Sequence, residues 1–253
     1  MSKLDTTPYK GVRDFYPEDM KIQNYIFNIW HKVAKNLNYE EYSASLLEPT
    51  ELYTEKSGAE IVNEQTFTFT DRGDRSVTLR PEMTPTLARM VAARRRNLKF
   101  PLRWYSIPNL FRYERPQRGR KREHWQFNCD LMGIADVGGD REIVSIAYAM
   151  MKEFGAKDND FEIRINNADV NLFKDIAPNI VSDPTLARGQ AYYTGMVFEI
   201  FDTNIENPRA IAGGGRYDNL LELFGVEPVP AVGFACGDIT IRDFLETHGL
   251  KTS

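Results

Sequence analysis

One segment concentrates the residue types that chemistry needs. Residues 111–132 read Phe-Arg-Tyr-Glu-Arg-Pro-Gln-Arg-Gly-Arg-Lys-Arg-Glu-His-Trp-Gln-Phe-Asn-Cys-Asp-Leu-Met. The second half alternates with the period of a β-strand, so Trp125, Phe127, Cys129 and Leu131 share one face and His124, Gln126, Asn128 and Asp130 the other. The apolar face must pack; the polar face must meet water or a ligand. In the first half Arg112 and Glu114 share a face if the strand runs over 103–114. An arginine on a rigid strand beside a basic loop suits a phosphate, because its planar fork holds two oxygens at once. The loop from Arg115 to Arg122 carries five cations in eight residues. Periodicity alone leaves two readings open, a solvent-facing sheet with a charged hairpin or the wall of a polyanion site.

These residues need elements to hold them. Pro17-Glu18-Asp19 suits a helix start, and Ile22, Ile26, Ile29, Trp30, Val33 and Leu37 recur at helical spacing, which predicts an amphipathic helix over 17–38. Thr66 to Arg80 alternates around Asp71-Arg72-Gly73-Asp74 and predicts a hairpin. Residues 85–97 and 140–154 read as helices, the second stopping at Gly155. Strand signals cover 103–114, 123–133, 161–166, 192–202, 208–213 and 231–236. Short connections make the sheet mostly antiparallel with helices on one side, an α+β fold in one continuous domain over 1–253. Gly213-Gly214-Gly215 lacks the strand-then-helix setting of a dinucleotide fingerprint.

Composition closes off other classes. Of the 253 residues 42% are hydrophobic and 12% aromatic, globular values, and no run reaches the roughly 18 apolar residues of a membrane span. A net charge of −4 confines any nucleic-acid contact to a local patch, either Arg94-Arg95-Arg96 or the 115–122 loop. Two cysteines and three histidines in unrelated contexts offer no metal-ligand spacing, and they fit a reducing, cytoplasmic compartment.

The order Phe111-Arg112-x-Glu114, basic loop, Arg122-Glu123-x-x-Gln126 resembles motif 2 of the class II aminoacyl-tRNA synthetases, which would span about 104–133. Other segments then resemble the histidyl-tRNA synthetase family in order. Gly11-Val12-Arg13-Asp14, the first helix and Leu47-Glu48-Pro49-Thr50 are similar to its start and its motif 1 (about 17–52), whose proline lies at a dimer interface. Leu79-Arg80-Pro81-Glu82-Met83-Thr84, Arg188-Gly189 with Tyr192-Tyr193-Thr194-Gly195, and Gly213-Gly214-Gly215-Arg216-Tyr217-Asp218 are similar to an L-R-P-E-x-T element, the R-G-x-x-Y-Y-T-G signature and a glycine-rich pocket loop. Motif 3 would fall at about 231–248.

The resemblance implies a histidine–tRNA ligase core that joins histidine to ATP, held with Mg2+, and then esterifies the acceptor end of tRNA(His), as a homodimer with no membrane attachment. It implies that Glu82 and Thr84 hold the histidine ammonium with Gln126 assisting, that Asp130 and Tyr193 meet the imidazole nitrogens, and that Tyr192 lies beside them. Arg112 would clamp the α-phosphate, with Glu114 in the ATP site, and Arg188 would lie across the same phosphate. The chain departs from the family at Gln190-Ala191, where a carboxylate is usual, and at Asp130, where glutamate also occurs. It departs again at Thr240, where motif 3 carries an arginine over the adenine and γ-phosphate; Arg242 is predicted to point elsewhere. A helical insertion is reduced to about twenty residues around Asp169 to Asp183, and the anticodon-binding domain is expected to be missing. A rival expectation follows from the same resemblance: a synthetase-like regulatory subunit of ATP phosphoribosyltransferase.

Overall fold

The computed structural model describes residues 3–54, 65–166 and 169–252. Asn167 and Ala168, just before the reduced insertion around Asp169 to Asp183, lie outside them. Helix α1 (Pro17–Asn36) is followed by β1 (Glu40–Glu41), β2 (Leu47–Pro49) and a one-turn helix α2 (Glu51–Thr54). Next come the hairpin β3 (Phe67–Thr70) and β4 (Ser76–Leu79), then α3 (Thr84–Arg94). Strands β5 (Leu102–Ser106), β6 (Asn109–Phe111) and β7 (Glu123–Met132) precede α4 (Val137–Glu153). The chain finishes with β8 (Phe161–Ile165), β9 (Ile180–Ser182), β10 (Val197–Asp202), β11 (Ala210–Arg216), β12 (Ala231–Gly237) and α5 (Asp238–Thr247).

The strands build a nine-stranded sheet in the order β1-β5-β7-β12-β11-β10-β8-β9, with β6 also paired to β7, and a small sheet β2-β4-β3. The large sheet is antiparallel except at its rims, where β1 pairs parallel to β5 and β9 parallel to β8. The expected α+β fold is therefore present. No described helix is long and apolar enough to cross a membrane.

Alternation along the central strands sorts the sheet into two faces. Phe127, Cys129 and Leu131 from β7, Phe234 and Cys236 from β12, and Phe198 and Ile200 from β10 are all buried in one cluster under α1, α4 and α5. Trp30 of α1 stacks between Phe27 and Phe127, with ring centroids 5.7 Å apart on each side. Burying a side chain of that size stabilises by roughly 2–3 kcal/mol. Helix α3 belongs instead to a second cluster at the end of the sheet, with Leu102, Met132 and Ala231. The opposite face of the central strands is left uncovered by helices, and the polar residues of β7 stand there.

Three of the boundaries that differ from the sequence reading bear on the site or its supports. Helix α4 begins at Val137, not 140, because the Asp136 carboxylate accepts the Gly138 amide at 2.8 Å and caps a start that Gly138-Gly139 would weaken. The predicted 103–114 strand breaks after Ser106 and ends at Phe111, so Arg112 and Glu114 sit in a tight turn (Glu114 N to Arg112 O, 2.7 Å) and not on a strand face. The predicted 192–202 strand starts only at Val197, which frees Tyr192 and Tyr193 from alternation.

One buried carboxylate ties the N-terminal segment to the last helix. Asp238, 1% exposed at the start of α5, accepts from Arg13 Nη2 (2.7 Å), Gln23 Nε2 (3.1 Å) and the Trp125 amide (2.9 Å). Removing it leaves one cation and two donors without their acceptor. Asp238→Ala should therefore lower the unfolding free energy by about 3 kcal/mol. Urea denaturation checks this, and a midpoint unchanged from the parent protein would refute it.

Candidate functional site

The uncovered face of the sheet carries two adjoining cavities. The inner one, about 70 Å³, is lined by Glu82, Thr84, Arg112, Gln126, Asp130, Arg188, Tyr192, Tyr193 and Gly213, among others. The outer one, about 380 Å³, takes in Arg112, Glu114, Gln126, Arg188 and Gly213, with Glu199, Arg209 and Thr240. Of the residues the sequence assigned to the histidine and ATP sites and the pocket loop, all but Gly214 and Gly215 line one of them. Arg112, Gln126, Arg188 and Gly213 line both, so the cavities meet at two arginines.

The space exists because the middle strands carry almost no side chains on this face. Gly233 and Ala235 of β12 pair with Asp130 and Asn128 of β7, and Gly213 of β11 pairs with Ala235. A methyl group at Gly213 would run into the Arg188 guanidinium, and one at Gly233 into the Asp130 carboxylate. At Gly215 it would meet the Tyr193 ring at 3.0 Å. Gly213-Gly214-Gly215 is thus the interior of strand β11, not the loop expected from the sequence. Its glycines answer to close approach and not to turning. Gly214 faces the helices, where a methyl would meet Phe234.

On this floor neighbours hold several of the polar groups. Arg188 reaches across Gly213 to Glu199 of β10, Nη1 to Oε1 2.9 Å, while its Nε is buried without a hydrogen-bond partner among the described residues. Burial raises the Glu199 pKa and the Arg188 charge offsets part of that rise. Arg112 donates Nε to the Pro81 carbonyl at 2.9 Å, which turns its fork toward the cavities. Glu82, 4% exposed, accepts from the Tyr192 hydroxyl at 2.9 Å. Tyr192 is therefore a site residue as well as a core one, with its ring centroid 5.0 Å from that of Tyr193.

Asp130 is the most informative group. It is 4% exposed; its Oδ1 accepts a 2.5 Å hydrogen bond from Tyr217, and its Oδ2 is buried with no hydrogen-bond partner among the described residues. Burial pushes its pKa up to about 7, against which the Tyr217 bond works. An acceptor held this way suits a ligand that brings its own N–H donor. Tyr217 and Glu199 line the cavities and were not singled out as site residues from sequence. Tyr217 stood within a quoted motif, four residues from Gly213, but only the fold shows that it points at Asp130.

The basic loop is less free than its composition suggests. Arg122 is buried, donating to the Glu114 carbonyl and lying over the Tyr113 ring at 3.8 Å. Arg120 pairs with Glu114 at 2.9 Å, and Arg118 bonds Asn207 at 2.9 and 3.1 Å. Arg115 is exposed. His124 lines the outer cavity; burial and then the charges of Arg112 and Arg13 bring its pKa down to about 3, so it adds no charge there.

With this geometry in hand, comparison with known proteins is specific. The histidyl-tRNA synthetase family model matches residues 11–180 and 169–238. The histidine–tRNA ligase of Leptospira biflexa is 39% identical over 331 aligned positions, covering 98% of this chain and 76% of that protein. Since this chain has only 253 residues, the relative carries internal residues that have no counterpart here. The crystal structure of apo S. aureus histidyl-tRNA synthetase superposes with a TM-score of 0.80 at 28% identity, covering 99% of this chain and 72% of that one. A structure titled as an ATP phosphoribosyltransferase regulatory subunit/histidyl-tRNA synthetase, from Bacillus halodurans C, gives 0.81 at 20% identity, over 96% of this chain and 84% of that one, a likeness of fold alone.

The raised pKa of Asp130 has a consequence for stability. In the unfolded chain this carboxyl ionises near its ordinary value of 3.8, and in the empty folded protein near 7. Between those values the native state holds the extra proton, so its stability falls as pH rises from about 4 to about 7. Asp130→Asn removes the effect. The unfolding free energy of the parent, measured without ligand and relative to Asp130→Asn, should decline across that window. A difference that stays flat would show that Asp130 is ionised throughout.

Proposed function

The chain belongs to the histidyl-tRNA synthetase family, and on that premise we propose that it is a histidine–tRNA ligase catalytic core that activates histidine with ATP. The observation that carries the reading is the meeting of two cavities at Arg112 and Arg188. Adenylate formation needs such a junction: an amino acid carboxylate on one side, the α-phosphate of ATP on the other, and fixed positive charge between them.

In this reading histidine occupies the inner cavity. Its ammonium group rests on Glu82 and Thr84, with Gln126 beside it. One imidazole N–H donates to Oδ2 of Asp130, whose other oxygen is already held by Tyr217. Tyr193 meets the second ring nitrogen. A carboxylate oxygen of histidine attacks the α-phosphorus in line, the bond from phosphorus to the bridging oxygen breaks, and pyrophosphate leaves with the electron pair. No side-chain nucleophile takes part. Arg112 holds the phosphoryl oxygens, and Arg188, fixed by Glu199, faces the charge that grows there. The carboxylates Glu114 and Glu199 on the outer cavity wall are the residues that would hold Mg2+ against the phosphates, a donor set suited to an ion that binds through one or two carboxylates.

We further propose that the adenylate passes to the acceptor end of tRNA(His), with Arg115 and Lys121 as the cations of the loop that the fold leaves least engaged. A log–log salt slope for tRNA binding of about −2 is expected, short of the roughly −4.5 that five free cations would give. Homodimerisation through the small sheet, where Pro49 sits in β2 and Leu47 and Phe69 are exposed, and a cytoplasmic location complete the reading. The intact phosphate arginines favour an enzyme over the regulatory subunit.

The test is histidine-dependent exchange of pyrophosphate into ATP. The parent protein should catalyse it with histidine and with no other amino acid, and Arg188→Ala should lower its limiting rate by ~10²–10³-fold with a smaller change in histidine KM. No exchange with any amino acid would sink the enzyme reading. An Arg188→Ala protein that keeps its limiting rate would place that residue outside the reaction.

A further inference from the structure

The outer cavity holds more positive charge than its ion pairs use. Arg209, the residue before β11, lies against the tip of the basic loop: its Cδ is 2.9 Å, and the Thr240 methyl 3.7 Å, from the point where a side chain on Gly119 would begin. The arginine is half-buried, and among the described residues its guanidinium makes no hydrogen bond or ion pair. Burial, and then the neighbouring charge of Arg120, holds its pKa below the ordinary arginine value, with Glu114 acting the other way. A guanidinium kept out of bulk water beside a second cation is a site that an anion completes.

Its position matters because the neighbouring candidates are otherwise engaged. Thr240 donates its hydroxyl to the carbonyls of Ile211 and Gly237. Arg242 pairs with Glu246 at 2.8 Å and Asp19 at 3.5 Å and does not line the cavity, as its spacing on the helix predicted. Arg112 and Arg188 stand at the inner end of the same cavity, where they meet the amino acid compartment. A ligand that answers to positive charge at both ends is an extended polyphosphate.

We propose that Arg209 is an ATP-binding residue that grips the terminal phosphates, supplying from the edge of β11 the cation that position 240 lacks. The proposal rests on the ATP-dependent reading above and goes beyond it, since that reading assigns Arg209 nothing. It also explains how threonine can stand at 240: the charge has moved to the facing strand.

The experiment compares ATP with AMP, which has no terminal phosphates, by calorimetric binding to the parent protein, Arg209→Ala and Arg209→Lys. ATP should bind Arg209→Ala 10–100-fold more weakly and Arg209→Lys at an intermediate level. AMP and histidine should bind all three proteins within about twofold, which also reports an intact pocket. In the exchange assay ATP KM should rise by the same factor with histidine KM unchanged. Equal weakening of ATP and AMP, or unchanged ATP binding, overturns the proposal. A parent protein that shows the ATP-over-AMP split but no histidine-dependent exchange would refute the activation reading and leave the assignment of Arg209 standing.

Discussion

A guanidinium can lie flat against a β-sheet only where the strand beneath it has no side chain. That constraint organises this molecule. Arg188 crosses Gly213 to reach Glu199, Asp130 fits against Gly233, and the Tyr193 ring lies over Gly215. Strand interiors rarely favour glycine, which weakens a strand by leaving nothing to pack. Here the loss is offset on the other face, where Phe198, Phe234 and Cys236 are buried under three helices. The sheet is a hydrophobic core on one side and a cleared floor on the other.

The floor also sets the electrostatics. Charges brought close to a sheet lose water, so each must have a fixed partner or wait for a ligand. Arg188 has Glu199, Glu82 has the Tyr192 hydroxyl, and Asp238 has Arg13 and Gln23. Two groups at the cavities are buried without a hydrogen-bond partner among the described residues, Oδ2 of Asp130 at the inner end and Nε of Arg188 at the junction, and Arg209 lines the outer end. In the proposed reading, the partnered groups hold the shape of the cavities and these two are left to a ligand.

Much of this was legible in the sequence, because alternation in β7 survives in the fold. Gln126, Asn128 and Asp130 face the cavities, and Phe127, Cys129 and Leu131 face the helices, as period two requires. The amphipathic first helix and the Asp71–Asp74 turn hold for the same reason, that local pattern and tertiary burial agree. What sequence could not give was approach. Three glycines in a row suggest a bend, and only the neighbours Arg188 and Tyr193 reveal why a strand needs them. Likewise the basic loop reads as five cations, yet Arg122 folds inward onto Tyr113 and Arg120 onto Glu114. The role of Tyr217 depends on a contact 87 residues away along the chain.

The central claim is that clearing the floor is what lets Arg188 stand between the two substrates. Gly213→Ala tests it most directly, because one added methyl meets the guanidinium while the side chains proposed to act in catalysis all remain. The measurement is single-turnover formation of histidyl-adenylate, with urea unfolding of the same protein alongside. The account predicts a folded variant whose adenylate forms at least ~10²-fold more slowly, a loss comparable to removing one charge-stabilising donor. A folded Gly213→Ala protein that forms adenylate at the parent rate would contradict it.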